Sequence, residues 1–127
     1  MKEIMAIVRP GRVTATKTAL ADAGYPSFTC QPVLGRGKKL MDAALVQAMV
    51  EEGGVPDGPW GQAFSEPLHL IAKRMFTLIV EEEDVAPVVR LVIEANSTST
   101  PGDGKVFVLP IIESYRVRNG ERAADAY

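Results

Sequence analysis

A shift of 72 residues lays one stretch of this chain on another. "IMAIVRPGRVTATKTALADAG" (4–24) falls on "FTLIVEEEDVAPVVRLVIEAN" (76–96), with Val8 on Val80, Val13 on Val85 and Ala23 on Ala95. Each unit begins with a short apolar strand, passes through charged or turn residues and continues with helical spacing. In the second unit Val85, Val88, Val89 and Val92 form one apolar stripe, with Asp84 as the expected N-cap. In the first the stripe is thinner (Val13, Leu20, Ala23), and Arg9-Pro10-Gly11 makes the turn into it. Gly24 and Asn96 close the two units and are the residue types best suited to a left-handed position after a helix. A second apolar run follows each helix, "FTCQPVLGR" (28–36) and "KVFVLPII" (105–112). The order βαβ, twice over, predicts an α+β, ferredoxin-like βαββαβ fold: a four-stranded antiparallel sheet with both helices on one face.

The link between the halves breaks this economy. About thirty residues, Lys38 to Leu68, stand where a hairpin needs two to five. Within them "MDAALVQAMVEE" puts Met41, Leu45, Ala48 and Met49 on one helical stripe that ends at Gly53-Gly54. "GGVPDGPWGQ" follows, irregular and carrying the single tryptophan, Trp60. The stripe either folds back on its own domain or a neighbouring subunit, or serves a partner, since methionine faces adapt to varied surfaces.

Composition narrows the class. At 127 residues the chain suits one domain over 1–127, and a net charge of −2 argues against general nucleic-acid binding. No apolar run reaches a membrane span, and "IMAIV" is too short for a signal segment. The one cysteine, Cys30, excludes an intramolecular disulfide and fits a reducing, cytoplasmic setting; it reads as a packed strand residue. One histidine, His69, makes neither a metal site nor a catalytic triad, so no catalytic residue and no metal site is expected. "EEED" (81–84) reads as a helix N-terminus, where negative charge complements the macrodipole.

Three stretches offer donors to an anion. "GRGKK" (35–39) closes the second strand, "PGDGK" (101–105) precedes the fourth, and "RVRNGER" (116–122) follows it with Arg116 and Arg118 two apart, hence on the same side if the chain is extended. "PGDGK" is not a P-loop, because Ser99 occupies the first glycine position, Val106 follows the lysine and a strand comes next, not a helix. Singly each is a common surface turn. A nucleotide polyphosphate, however, needs several such donors converging.

Four segments, "KEIMAIVRPGRV", "VLGRGK" (33–38), "GDGKVFVLPI" (102–111) and "RVRNGERAADA" (116–126), together resemble the PII family of nitrogen signal-transduction proteins. "LIAKRMFTLIV" (70–80) and the unusual loop look like its nitrogenase-regulating, nif-linked branch. The resemblance implies a trimer binding ATP or ADP in clefts between subunits. It makes 38–68 a T-loop, 98–105 a B-loop and 114–127 a C-loop. Gly35, Gly37 and Lys38 would lie near the phosphates, Gly102, Asp103, Gly104 and Lys105 around them, and Arg116 and Arg118 would reach in from the adjacent subunit. Thr29 would lie near the adenine, and Lys73 matches a lysine that helps hold 2-oxoglutarate.

Two positions depart from the family's pattern, where arginine and glutamine often follow "G-x-G". Lys38 keeps the charge without the bidentate fork. Lys39 replaces a carbonyl that serves Mg²⁺, and an ammonium has no lone pair, so magnesium and 2-oxoglutarate as effectors would need another oxygen donor, such as water. The loop holds no tyrosine for uridylylation.

The resemblance thus implies a non-enzymatic nitrogen and energy sensor, as a homotrimer or a hetero-oligomer with a sister PII-like subunit. Its T-loop would meet a regulated target, the dinitrogenase component of nitrogenase, through Met41, Leu45, Met49 and Trp60. A different enzyme or transporter is an alternative target. Other classes open at this point are a small ferredoxin-like hydrolase of acyl phosphates or phosphate esters, and an apolar interaction domain whose glycine loops are only turns.

Overall fold

The computed structural model describes residues 1–37 and 70–123; Lys38, Lys39, Met41, Leu45, Met49, Trp60 and His69 lie outside the described residues. By its contacts the chain divides into Met1–Val33 with Ala72–Tyr127, and Leu34–Ile71. The elements are β1 (Lys2–Val8), a 3-10 turn (Pro10–Arg12), α1 (Val13–Asp22), β2 (Thr29–Gly35), β3 (Ile71–Val80), a second 3-10 turn (Glu82–Asp84), α2 (Val85–Asn96) and β4 (Gly104–Pro110). The sheet order is β2-β3-β1-β4, the ferredoxin-like order that two βαβ units predict. β1 pairs antiparallel with both β3 and β4, so that Ile4 faces Leu78 and Val108, and Val8 faces Arg74 and Gly104.

Alternation in the strands places the core. Ile4, Ala6 and Val8 of β1 and Phe76, Leu78 and Val80 of β3 are buried, and Leu20 of α1 and Val88 and Val92 of α2 cover them. Each large side chain so buried stabilises the fold by roughly 1.5–3 kcal/mol. The 72-residue shift relates these positions in pairs: Ile4 to Phe76, Val8 to Val80, Thr16 to Val88 and Leu20 to Val92. Even the two 3-10 turns correspond. Cys30 packs against this core from β2, as expected of it.

The helix ends depart from the duplication. Gly24 takes the expected left-handed conformation (φ +91°), and Tyr25 N–H donates to Leu20 O five residues back (2.8 Å), closing α1 as a Schellman motif. Asn96, expected to do the same, is instead the last helical residue of α2 and is buried. Its Nδ2 donates to Thr16 Oγ1 of α1 (2.9 Å) and to Val92 O (2.8 Å), and the chain leaves through extended Ser97. A carboxamide with a buried partner on the neighbouring helix has no need of a left-handed backbone.

Asp84 precedes α2 but makes no side-chain cap bond; its Oδ1 accepts the Tyr25 hydroxyl (2.9 Å), which pushes the phenol's pKa up. Ala23 lies at the exposed end of α1, and Thr16 takes the stripe position between Val13 and Leu20. Arg12 carries the C-terminus of α2, its Nε (2.9 Å) and Nη2 both donating to Ala95 O.

Thr16→Val should therefore lower stability by about 1–2 kcal/mol, since it strips the Asn96 amide of a buried partner. The double variant Thr16→Val with Asn96→Leu should recover part of that loss, because two apolar groups replace both partners. Chemical denaturation of the four members of this cycle checks the sign of the coupling.

Candidate functional site

β4 follows β2 by 75 positions, not 72, because α2 is two residues longer than α1 and the connection to the strand one residue longer. The polar groups of the connecting segment 97–103 meet at Arg9, the residue that follows β1. Arg9 Nη1 donates to Asp103 Oδ1 (2.9 Å) and Thr98 Oγ1 (3.4 Å), and Nη2 to Pro101 O (3.0 Å) and Thr100 Oγ1 (3.4 Å). The Asp103 carboxylate also accepts the Thr98 hydroxyl and the backbone N–H groups of Thr98 (2.6 Å) and Thr100 (3.3 Å). Those bonds, Thr98's before all, together with the Arg9 charge hold its carboxyl well below the usual carboxylate range. Lys73 of β3 reaches over to donate to Gly102 O (3.2 Å).

Two glycines fit where a side chain would not. Gly104 has φ +132°, and a Cβ there would stand 2.2 Å from Ile7 O, so β4 can run beside β1 only without one. Gly102 (φ +92°) turns its bare side to the Arg9 guanidinium, 3.2 Å from where a Cβ would be. Ser99 is left-handed without being glycine (φ +60°).

Strand alternation then sets which way the loop delivers its groups. Ile7, Lys73, Met75 and Lys105 share the sheet face that carries no helix, as the pairs Ile7–Met75 and Ile7–Lys105 require. Lys105 is exposed on that face and makes no ion pair among the described residues. With the Pro101 and Gly102 carbonyls taken up by Arg9 and Lys73, the glycine backbone and the exposed Lys105 ammonium offer donors suited to a polyphosphate. A crevice of about 380 Å³ lies between α2 and β4, with Val8, Val89, Val92, Ile93 and Val106 as its apolar wall and Asn96, Ser97, Asp103, Gly104 and Lys105 along the loop side.

Thr29 does not meet this loop in one copy. Thr29 opens β2, the opposite edge of the sheet from β4, roughly 14 Å away at three strand spacings. Gly35 ends β2 and Gly37 lies just beyond it.

The chain through Arg116 and Arg118 is not extended, so the condition under which their two-residue spacing would set them on one side is not met. A hairpin closes over 114–123, with Arg116 N–H bonded to Glu121 O (2.9 Å), Gly120 N–H to Arg116 O (2.8 Å) and Ala123 N–H to Ser114 O (3.0 Å). Asn119-Gly120 turns it, with Gly120 at φ +70°. Arg118 sits exposed at its tip, while Arg116 pairs with Glu121 (3.6 Å). Among the described residues no cluster of histidine, cysteine, aspartate or glutamate could hold a metal ion, and no helix is long and apolar enough to cross a membrane.

Sequence reasoning missed Arg9, taken only as part of a turn. The available signal was the 72-residue overlay, which sets Arg9 against Glu81, a reversal of charge at equivalent strand ends.

Comparison with known proteins bears on this geometry. The family model described as nitrogen regulatory protein P-II matches residues 1–121. The chain is 37% identical to the nitrogen fixation nifHD region GlnB-like protein 2 of Methanothermobacter marburgensis, over 99% of both chains. It is 40% identical to the protein of the same description from Methanococcus maripaludis, again over 99% of both. A relative from Methanothermococcus thermolithotrophicus described as GlnB-like protein 1 is 37% identical over 95% of this chain and 97% of its own.

Two outcomes follow from the loop. Asp103→Asn should lower Tm near neutral pH, because a depressed carboxyl pKa contributes stability that is fully present above the unfolded value near ~3.9. That contribution is lost as pH falls toward the folded value, so the gap between variant and wild type should close below about pH 4 in acid-series melts. Gly104→Ala should cost on the order of 3 kcal/mol, since its Cβ meets backbone that β1 holds from both sides; thermal denaturation reads it directly.

Proposed function

Because the chain belongs to the P-II family of nitrogen regulatory proteins, we propose that it is a nucleotide-binding sensor of nitrogen and energy status, acting on a target protein through the segment 38–68. ATP or ADP would sit in clefts between the copies of a trimer. One copy would offer Gly102, Asp103, Gly104 and Lys105, with Gly35, Gly37 and Lys38 near the phosphates, and Thr29 of the other copy at the cleft would lie near the adenine. Arg116 and Arg118 would come from the adjacent copy.

The loop 98–105 carries this reading. Arg9 and Lys73 take up its carbonyls, and Lys105 leaves it exposed. Three observations favour an assembly. The helix-free face is apolar, with Met5, Ile7, Met75, Ile79 and Leu109 half-buried and Phe107 47% exposed. Ile112, Tyr115 and Val117 stand exposed beside the arginines of the C-terminal hairpin. Thr29 and the loop sit on opposite sheet edges, so a cleft using both needs a second copy.

The relatives named for the nifHD region support nitrogenase, through its dinitrogenase component, as the target; the relatives numbered 1 and 2 support a sister subunit as the alternative to a homotrimer. Met41, Leu45, Met49 and Trp60 would make the contact. Lys73 would meet 2-oxoglutarate through its remaining N–H donors while bonded to Gly102 O, which would couple that effector to the loop. Magnesium would need an oxygen donor other than Lys39. The sensor itself would perform no catalysis and work in the cytoplasm.

Calorimetry with ATP, ADP and AMP tests the reading. The wild type should bind ATP and ADP, and Lys105→Ala and Arg116→Ala should each weaken ATP by about tenfold or more, alone and in the double variant together. No ATP binding by the wild type, or unchanged binding by the double variant, overturns it. Phe107→Asp should reduce the mass in sedimentation from that of three chains to that of one.

A further inference from the structure

We propose that Arg9 is the positioning residue of the anion loop: its guanidinium holds residues 98–103 in the shape that presents Gly102–Lys105 to a polyphosphate. This rests on the nucleotide reading above, and it assigns to the end of β1 a role outside the loop motif itself.

The loop has little else to hold it. Residues 97–102 are all exposed or nearly so, and no buried apolar side chain orders them. Ser99 is left-handed, a strained conformation for a residue other than glycine. Against that strain stand the bonds centred on one group. Arg9 reaches Asp103 Oδ1, Pro101 O and the hydroxyls of Thr98 and Thr100, and Asp103 gathers the N–H groups of Thr98 and Thr100 from the other side. The anchor is itself fixed. Arg9 follows a strand paired on both sides and precedes Pro10, and its neighbour Val8 is registered opposite Gly104.

Charge alone does not account for the arrangement. Arg9 and Asp103 cancel one another at 2.9 Å, leaving Lys105 and Lys73 as the cations toward a ligand. What Arg9 adds is a planar fork whose two terminal nitrogens serve four acceptors, which an ammonium on a flexible stem cannot reproduce. Gly102, with no side chain, lets that fork lie against the backbone.

The test uses the full chain with Arg9→Lys, Arg9→Gln and Asp103→Asn, at a temperature well below each melting point. Amide hydrogen exchange across 98–104 should be slow in the wild type. It should be at least about tenfold faster in all three variants, with β1 and α2 protection retained. ATP affinity should fall by about tenfold or more in each.

Asp103→Asn separates positioning from charge: it removes one negative charge beside an anion site, so simple electrostatics requires tighter binding and positioning requires weaker. Wild-type ATP affinity in Arg9→Lys, tighter ATP binding in Asp103→Asn, or unchanged exchange in the loop each overturns the proposal. If the wild type binds no ATP, the nucleotide reading falls, while the exchange measurement still decides whether Arg9 orders the loop.

Discussion

Two antiparallel strands pressed against two helices hold this fold. β1 and β3 each turn three side chains to the same side, Ile4, Ala6 and Val8 against Phe76, Leu78 and Val80, and all six are buried under α1 and α2. Apolar burial of this kind is the main favourable term available to a chain of this size. Because β1 is paired on both edges, whatever follows it is also held. Arg9 leaves that strand with its backbone direction already set, and Gly104 must lie against Ile7 with no room for a Cβ. The candidate site is thus an extension of the central strand of the sheet.

The duplicated unit explains both the order and the exception. Core positions repeat at 72 residues because each half solves the same problem, covering a strand's apolar face with one amphipathic helix. The halves part company at the ends of the helices, where the first closes in a Schellman turn and the second runs two residues longer, ends on a buried asparagine and leaves through the segment 97–103. Those residues make a polar loop that buries nothing apolar and is ordered by a guanidinium and a carboxylate. Exposed hydrogen bonds are individually weak, yet several converging on one planar group can define a shape. The apolar sheet face without a helix, and the exposed side chains of the C-terminal hairpin, leave surface that a second copy would cover.

Most of the fold was legible because it rests on period. Alternation marks the strands and the i, i+3, i+4 stripe marks α2, and the structure bounds them within a few residues. Single polar residues were less legible, each for a local reason. The backbone preference of Asn96 points to a left-handed position, but its carboxamide finds Thr16, 80 residues away, and that bond decides its conformation. Asp84 has the chemistry of a cap, but Tyr25 claims its carboxylate. The spacing of Arg116 and Arg118 suits an extended chain, whereas Asn119-Gly120 bends the backbone around them. In the site, "PGDGK" is visible as glycines and a lysine, while the group that organises it lies about ninety residues earlier and carries no motif.

The sequence by itself determined the element order, the apolar faces and the family to which the chain belongs, because these depend on spacing along the chain and on short local strings. Only the tertiary structure decided which polar side chains meet. It set Arg9 at the centre of the 98–103 loop, Lys73 on the Gly102 carbonyl and Thr29 on the far edge of the sheet. Hydrogen bonds between residues far apart in sequence depend on strand register and on ångström-scale distances, and neither is written in residue type or spacing.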